Sequence, residues 1–202
     1  MTGRWIAFEG GEGSGKSTQA RRLADRLGAV LTREPGGTLV GERVRELLLD
    51  PTVADLDARA EALLMAADRA QHVSERVRPA LASGRDVVSD RSAYSSLAYQ
   101  GHGRGLGVEH VRRLCDWATD GLWPDVAVLL EVPADERAER MKDPPDRMES
   151  AGTDFHAVVA EGFRELAAAE PDRWLVVDGT GDVEAVTARV AEAWAHWEER
   201  HR

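Results

Sequence analysis

Lysine and cysteine are scarce in this chain of 202 residues: two lysines, Lys16 and Lys142, and one cysteine, Cys115. A single cysteine excludes an internal disulfide and a cysteine-rich zinc site, and suits a reduced thiol inside a cell. Long apolar runs are also missing. No stretch approaches the roughly 18 residues of a membrane-spanning helix, and Glu9 interrupts the apolar segment near the start, so neither membrane span nor signal peptide is expected and the cytoplasm is the expected location. Positive charge is outnumbered, with 26 Lys and Arg against 36 Asp and Glu, a formal net charge of −10. That balance argues against a nucleic-acid polymer as partner, because such binding draws much of its affinity from neutralising phosphates. A mononucleotide needs only a local basic pocket. Repeats and low-complexity linkers are absent too, so residues 1–202 read as one domain, large enough to bury a core without cross-links.

What is present is an alternation. Apolar runs at 4–9, 29–32, 86–90, 126–132 and 174–178 have the length of buried strands, and segments 16–27, 38–49, 56–82, 107–119, 153–169 and 182–200 show apolar residues at helical spacing. This pattern predicts an α/β fold, a five-stranded parallel sheet with helices on both faces. Trp194 and Trp197 in the last helix are expected to pack in the core. One stretch breaks the pattern: RMKDPPDRMES (140–150) has paired prolines, dense charge and no apolar stripe. It reads as a lid over about 138–150, with an ordinary surface turn as the alternative.

The strand at 4–9 runs into GGEGSGKST, in which Gly10, Gly15, Lys16 and Ser17 fit G-x-x-x-x-G-K-[ST] and a helix begins at Lys16. Such a loop is the phosphate cradle of P-loop proteins: backbone N–H groups and the positive end of a helix surround a polyphosphate. Gly10, Gly11, Glu12, Gly13, Ser14, Gly15, Lys16, Ser17 and Thr18 are therefore the expected ATP-binding residues, with Lys16 reaching the terminal phosphates and Ser17 binding Mg²⁺. No N-K-x-D segment exists, and DGTG at 178–181 lies too late to be a switch, which argues against a regulatory GTPase. A catalytically silent ATP-binding module remains open, separable only by activity. Glu12 is the anomaly, a carboxylate inside an anion cradle.

Four further segments, TREPGGT (32–38), LLMAADRAQH (63–72), SDRSAYSSLAYQGHGRG (89–105) and DRMES (146–150), follow the P-loop in an order and spacing that resemble bacterial thymidylate kinases. The resemblance implies transfer of the ATP γ-phosphoryl group to dTMP, giving dTDP and ADP for dTTP biosynthesis, by a Mg²⁺-dependent homodimer. It also implies a role for Glu12, which faces the acceptor and takes a hydrogen bond from the sugar 3′-hydroxyl. Arg91 is implied as a clamp between acceptor and γ-phosphate, Asp90 as an organiser of the Mg²⁺ shell. Arg45 holds the same acceptor phosphate or is simply a solvated arginine. For the base, Arg69 donates to thymine O4, Ser96 and Gln100 lie nearby, Tyr99 crowds the 2′ position, and Glu34 and Pro35 form a wall beside Gly36 and Gly37. Whether the Glu34–Pro35 bond is cis stays open.

Three positions depart from the family pattern. Met65 stands in place of a stacking phenylalanine, and Ser92 in place of an aromatic or histidine, which leaves another pyrimidine monophosphate, such as dUMP or a modified deoxyuridylate, as the alternative acceptor. Residues 11–14 contain no arginine, so the catalytic cation is expected from the lid: Arg140 and Lys142 flanking the transferred phosphate, Arg147 positioning it. Asp146 and Glu149 steer acceptor or metal, or cap the following helix. Adenine contacts are expected from backbone near 178–183.

Overall fold

The computed structural model describes residues 3–53, 55–141 and 144–201. Its sheet is made of β1 (Trp5–Glu9), β2 (Val30–Arg33), β3 (Val87–Asp90), β4 (Val126–Glu131) and β5 (Trp174–Asp178), in the order β2-β3-β1-β4-β5 with every pairing parallel. The five expected strands are all there, displaced by a residue or so at their ends. They are legible because both faces of the sheet are covered, so each strand is apolar along nearly its whole length.

One face receives α1 (Lys16–Leu27) and α9 (Val183–Arg200), whose Ala20, Leu23, Trp194 and Trp197 pack on Ile6, Phe8, Val128 and Val177. The two tryptophans are core residues, stacked with ring centroids 5.2 Å apart. The other face receives α5 (Ala93–Ser96), α6 (Val108–Thr119) and α8 (Thr153–Ala169), which bring Tyr94, Val111 and Phe163 onto Ala127 and Leu129. Truncating a buried ring here, Phe8→Ala or Phe163→Ala, costs about 3–5 kcal/mol.

The remaining helices are α2 (Leu39–Leu49), α3 (Ala58–His72), α4 (Arg78–Ala82) and α7 (Ala134–Arg140). The helix expected over 56–82 is interrupted: a π-helical turn at Val73–Val77 joins α3 to α4. A second π-helical stretch, Leu97–Gly103, follows α5 where serine- and glycine-rich sequence masks any helical period. The lid expected over about 138–150 starts inside α7, and its far end is a 3₁₀ turn at Glu149–Ala151.

β1 lies between β3 and β4, with Phe8 in register with Asp90. The chain leaving β1 and the chain leaving β3 therefore emerge side by side, at the carboxyl edge where ligands bind open α/β sheets. A hydrogen bond from the Arg91 amide to the Phe8 carbonyl, 2.9 Å, ties them just beyond the sheet.

Candidate active site

The loop from Gly10 to Gly15 turns through left-handed backbone at Gly10 (φ 135°), Gly13 (74°) and Gly15 (88°). A side chain at Gly10 would place its Cβ 2.7 Å from the Leu130 carbonyl, so only glycine fits. Gly15 precedes α1 without any side-chain cap, which leaves the first N–H groups of that helix available to an anion. Lys16 folds over the loop, donating to the Gly11 carbonyl at 2.6 Å. Burial and the Arg91 charge lower its pKa to about 8, against the opposing pull of Glu12, Asp90 and Glu9.

Ser17 donates its hydroxyl to Asp90 Oδ2 across the gap between α1 and β3. Asp90 Oδ1 is buried with no partner among the described residues. An unsatisfied carboxylate oxygen beside a serine hydroxyl suits a hard cation. No group of three His, Cys, Asp or Glu able to hold a metal occurs among the described residues. A cation at Ser17 and Asp90 thus needs oxygens from its ligand, as nucleotide phosphates provide.

Glu12 and Arg91 are paired in the structure through Oε1 and Nη2. Tyr99 joins them, its hydroxyl 3.3 Å from Glu12 and 3.2 Å from Arg91, with the guanidinium 5.0 Å above its ring. Burial alone would raise the Glu12 pKa, but Arg91 and Lys16 outweigh it and hold the carboxyl down at about 2. Arg91 also donates to the Gly10 carbonyl (3.2 Å) and Ser95 Oγ (3.0 Å), from a left-handed backbone with φ 73°. Ser95 in turn donates to Glu9 at 2.6 Å. Burial pushes this Glu9 carboxyl, at the end of β1, up to about 7 despite the lowering influence of Ser95, Arg91 and Ser92. Ser92 is occupied with Glu9 as well (2.7 Å) and accepts from the Tyr94 amide that opens α5. It lies fully buried and is not among the residues that line the cavity beside the loop, so its departure from the family pattern touches Glu9 and not that cavity.

That cavity, about 360 Å³, opens beside the loop. Glu12, Lys16, Ser17, Asp90 and Arg91 line it together with Met65, Arg69, Ser96 and Gln100, and Glu34, Pro35, Arg45 and Tyr99 are also in its lining. Arg69 is held by Glu34 (2.7 Å), Ser96 (3.1 Å) and the Ser92 carbonyl (3.0 Å). Glu34 also bonds His72 Nδ1 at 2.7 Å, whose Nε2 meets Thr32 at 2.6 Å. The Glu34–Pro35 bond is cis, and Arg45 donates to the Pro35 carbonyl at 3.0 Å, so Arg45 is anchored at the cavity and not merely solvated. Asp68 accepts from the Gly36 amide at 2.8 Å; burial and the Glu34 charge raise its carboxyl to about 7.

The expected lid cations do not converge. Arg147 points into the protein, donating to the Leu48 carbonyl at 2.7 Å and pairing with Glu61 at 2.8 Å, because a buried carboxylate there demands a partner; it is absent from the cavity. Arg140 bonds the carbonyls of Gly179 (3.0 Å) and Gly181 (3.2 Å) and approaches that of Gly13 at 3.5 Å. It joins the P-loop to the segment after β5. Lys142 lies outside the described residues. Arg137, unremarked in the sequence, reaches the Glu12 carbonyl at 3.5 Å; nothing in the charged run ADERAER distinguishes it from a solvated arginine. Arg33, Leu49, Ser95 and Met148 also line the cavity without a signal that would have singled them out, and Asp146 and Glu149 are in its lining too.

Against known proteins, a family model described as "Thymidylate kinase" matches residues 8–190. A thymidylate kinase of Bifidobacterium longum (strain DJO10A) is 48% identical over 198 residues, which span 94% of this chain and 96% of that one. One from Cutibacterium acnes is 49% identical over 183 residues, 88% and 89% of the two chains. Among solved structures, the thymidylate kinase from Ehrlichia chaffeensis matches with a TM-score of 0.79 and 32% identity, covering 96% of this chain and 99% of its own.

Proposed function

The chain belongs to the thymidylate kinase family and is an ATP-dependent dTMP kinase, and from that membership we propose how its residues share the work. The N–H groups of residues 10–18 and Lys16 hold the triphosphate. Ser17 and Asp90 hold Mg²⁺ together with phosphate oxygens; the ion, when bound, neutralises charge on the transferring phosphoryl group. The orphaned Asp90 oxygen supports this assignment.

The observation that bears most weight is the Glu12–Arg91–Tyr99 cluster, set between the P-loop and the cavity. Arg91 takes the acceptor phosphate and faces the donor's terminal phosphate. Two approaching anions repel, and a shared guanidinium offsets that repulsion where it is largest. Glu12, released from Arg91, accepts from the 3′-hydroxyl, and Tyr99 closes the space at C2′. Donor and acceptor are then fixed on one rigid turn, which makes attack effectively unimolecular. The base lies between Met65 and the polar set Arg69, Ser96 and Gln100, against Glu34 and Pro35; Arg45 assists at the phosphate. Arg140 steadies the donor-side loops, and Lys142 supplies charge from the lid. Arg147 acts as an internal brace.

A homodimer fits the outward faces of α2, α3 and α6. These neighbouring helices expose Leu39, Leu47, Leu63 and Trp117, the last 83% exposed. On α3 the outer face between Arg59 and Gln71 is Ala60, Leu63, Leu64, Ala67 and Ala70, with no charge among them. Among the described residues no helix is long and apolar enough to cross a membrane, and the cytoplasm is the location we assign.

The test is ADP release from ATP and Mg²⁺ with dTMP, dUMP, UMP or dCMP supplied singly. dTMP is expected to give the highest kcat/KM. Preference for another acceptor, or no turnover with any, overturns the reading.

A further inference from the structure

Glu61 belongs to none of the recognisable motifs, yet it is fully buried in the first turn of α3 and gathers three donor residues, two from the π-helical stretch that ends at Arg104 and one from the segment after α7. Gln100 Nε2 bonds its Oε1 at 2.8 Å; Arg104 bonds both oxygens, at 3.2 and 3.1 Å; Arg147 pairs with Oε2 at 2.8 Å. Burial favours its neutral form, but the hydrogen bonds of Arg104 and Gln100 and the nearby guanidinium charges prevail and lower its pKa. Glu61 is therefore an ionised carboxylate, which accepts hydrogen bonds and donates none.

Opposite such a group the Gln100 amide has one stable sense, NH₂ toward Glu61 and oxygen away. That oxygen, Oε1, is buried with no partner among the described residues, in a side chain that lines the acceptor cavity. A buried carbonyl without a donor is completed by a ligand that brings one.

We propose that Glu61 sets the base selectivity of this kinase by locking the Gln100 amide, so that the cavity presents an acceptor and not a donor to the edge of the bound base. The inference rests on the dTMP kinase reading above. A 4-oxopyrimidine carries a ring N–H and satisfies Oε1. A 4-aminopyrimidine has a lone pair at the same ring position, which sets acceptor against acceptor. Rotating the amide to suit it would turn Oε1 onto the Glu61 carboxylate, so the wrong base is refused by a repulsive element already in the fold. Glu61 is a positioning residue. It acts through Gln100, and through Arg104 and Arg147 it fixes the same wall to the base of the lid.

The experiment uses the full chain and measures kcat and KM for dTMP and for dCMP at saturating ATP, with thermal unfolding as a control for folding. Glu61→Gln keeps the shape but offers either an oxygen or an NH₂ to Gln100, which frees the amide. The preference for dTMP over dCMP is expected to fall at least about tenfold, chiefly through KM for dTMP, a change a merely structural role would not produce. Glu61→Asp, which retains the charge, should keep most of the preference. In a Gln100→Leu background, Glu61→Gln should leave the remaining preference unchanged. An unchanged preference in folded Glu61→Gln overturns the proposal, as does an undiminished effect in the Gln100→Leu background. Should Glu61→Gln not fold, Gln100→Leu decides alone: preference retained overturns the proposal, preference lost supports it. A parent chain that turns over no dTMP fails the functional reading itself, before any variant is made.

Discussion

Single residues in this molecule are set by their neighbours more than by their type. Lys16 is a lysine with a pKa of about 8, because it is buried beside Arg91. Its ammonium contributes fully to triphosphate binding below that pH and is lost above it, so ATP affinity should be flat up to about pH 8 and then weaken toward tenfold per unit. Calorimetric titrations from pH 6.5 to 9.5 would show this, and an affinity that stays level through pH 9.5 would contradict it. Asp68 has the opposite sense. Raised from 3.8 to about 7, its carboxyl keeps a proton in the folded state where the unfolded chain has released it, so stability falls as pH rises through that window and levels off above it. Asp68→Asn, whose amide oxygen can still accept from Gly36, should lose less stability than the parent between pH 5 and pH 8. Equal losses in denaturant midpoint would rule this out. None of these shifts is visible in sequence. The motifs pointed to Lys16, Arg69 and Arg91, which the structure places in the lining of one cavity, but said nothing of what pairs with each. Arg147 shows the difference: its DRMES context resembles a catalytic lid, and the buried Glu61 carboxylate in the first turn of α3 claims its side chain.

At the scale of elements, the strands and the long helices were legible because their apolar periods are strong. The segments that adjust the site were not. The π-helical stretch Leu97–Gly103 has too many small residues for a period, and α7 is short with no buried residue, so hydrophobic spacing has nothing to report. The P-loop itself was legible in every position, since its glycines answer to backbone geometry. Two of them should respond differently to the same change. Gly10→Ala combines a left-handed backbone, costing about 1–2 kcal/mol, with a clash against the Leu130 carbonyl, whereas at Gly11 the new methyl meets the flexible end of Arg137. Gly10→Ala should therefore lower ATP affinity at least tenfold more than Gly11→Ala, measured as paired Kd values. Equal losses would mean that the rigidity of the β4 end does not set the loop.

For the whole molecule, sequence periodicity gave the sheet and the number of its strands, while the strand order and the outward apolar face of α3 required the structure. That face makes the quaternary prediction. Leu63→Glu should convert a dimer into a monomer in sedimentation velocity with the cavity left intact, and a parent chain that already sediments as a monomer would refute it. The pairing of Glu12 with Arg91 has a consequence at this scale too. A bare guanidinium at the mouth of a pocket is a trap for any phosphate or sulfate in the surrounding solution. Here the Glu12 carboxylate shuts the trap. Inorganic phosphate that takes Arg91 strands the Glu12 carboxylate, whereas a nucleotide monophosphate, on the reading proposed above, brings a hydroxyl to receive it. In a chain of net charge −10 this exchange of partners makes the site indifferent to common anions and responsive to a ligand that carries both groups at the right separation.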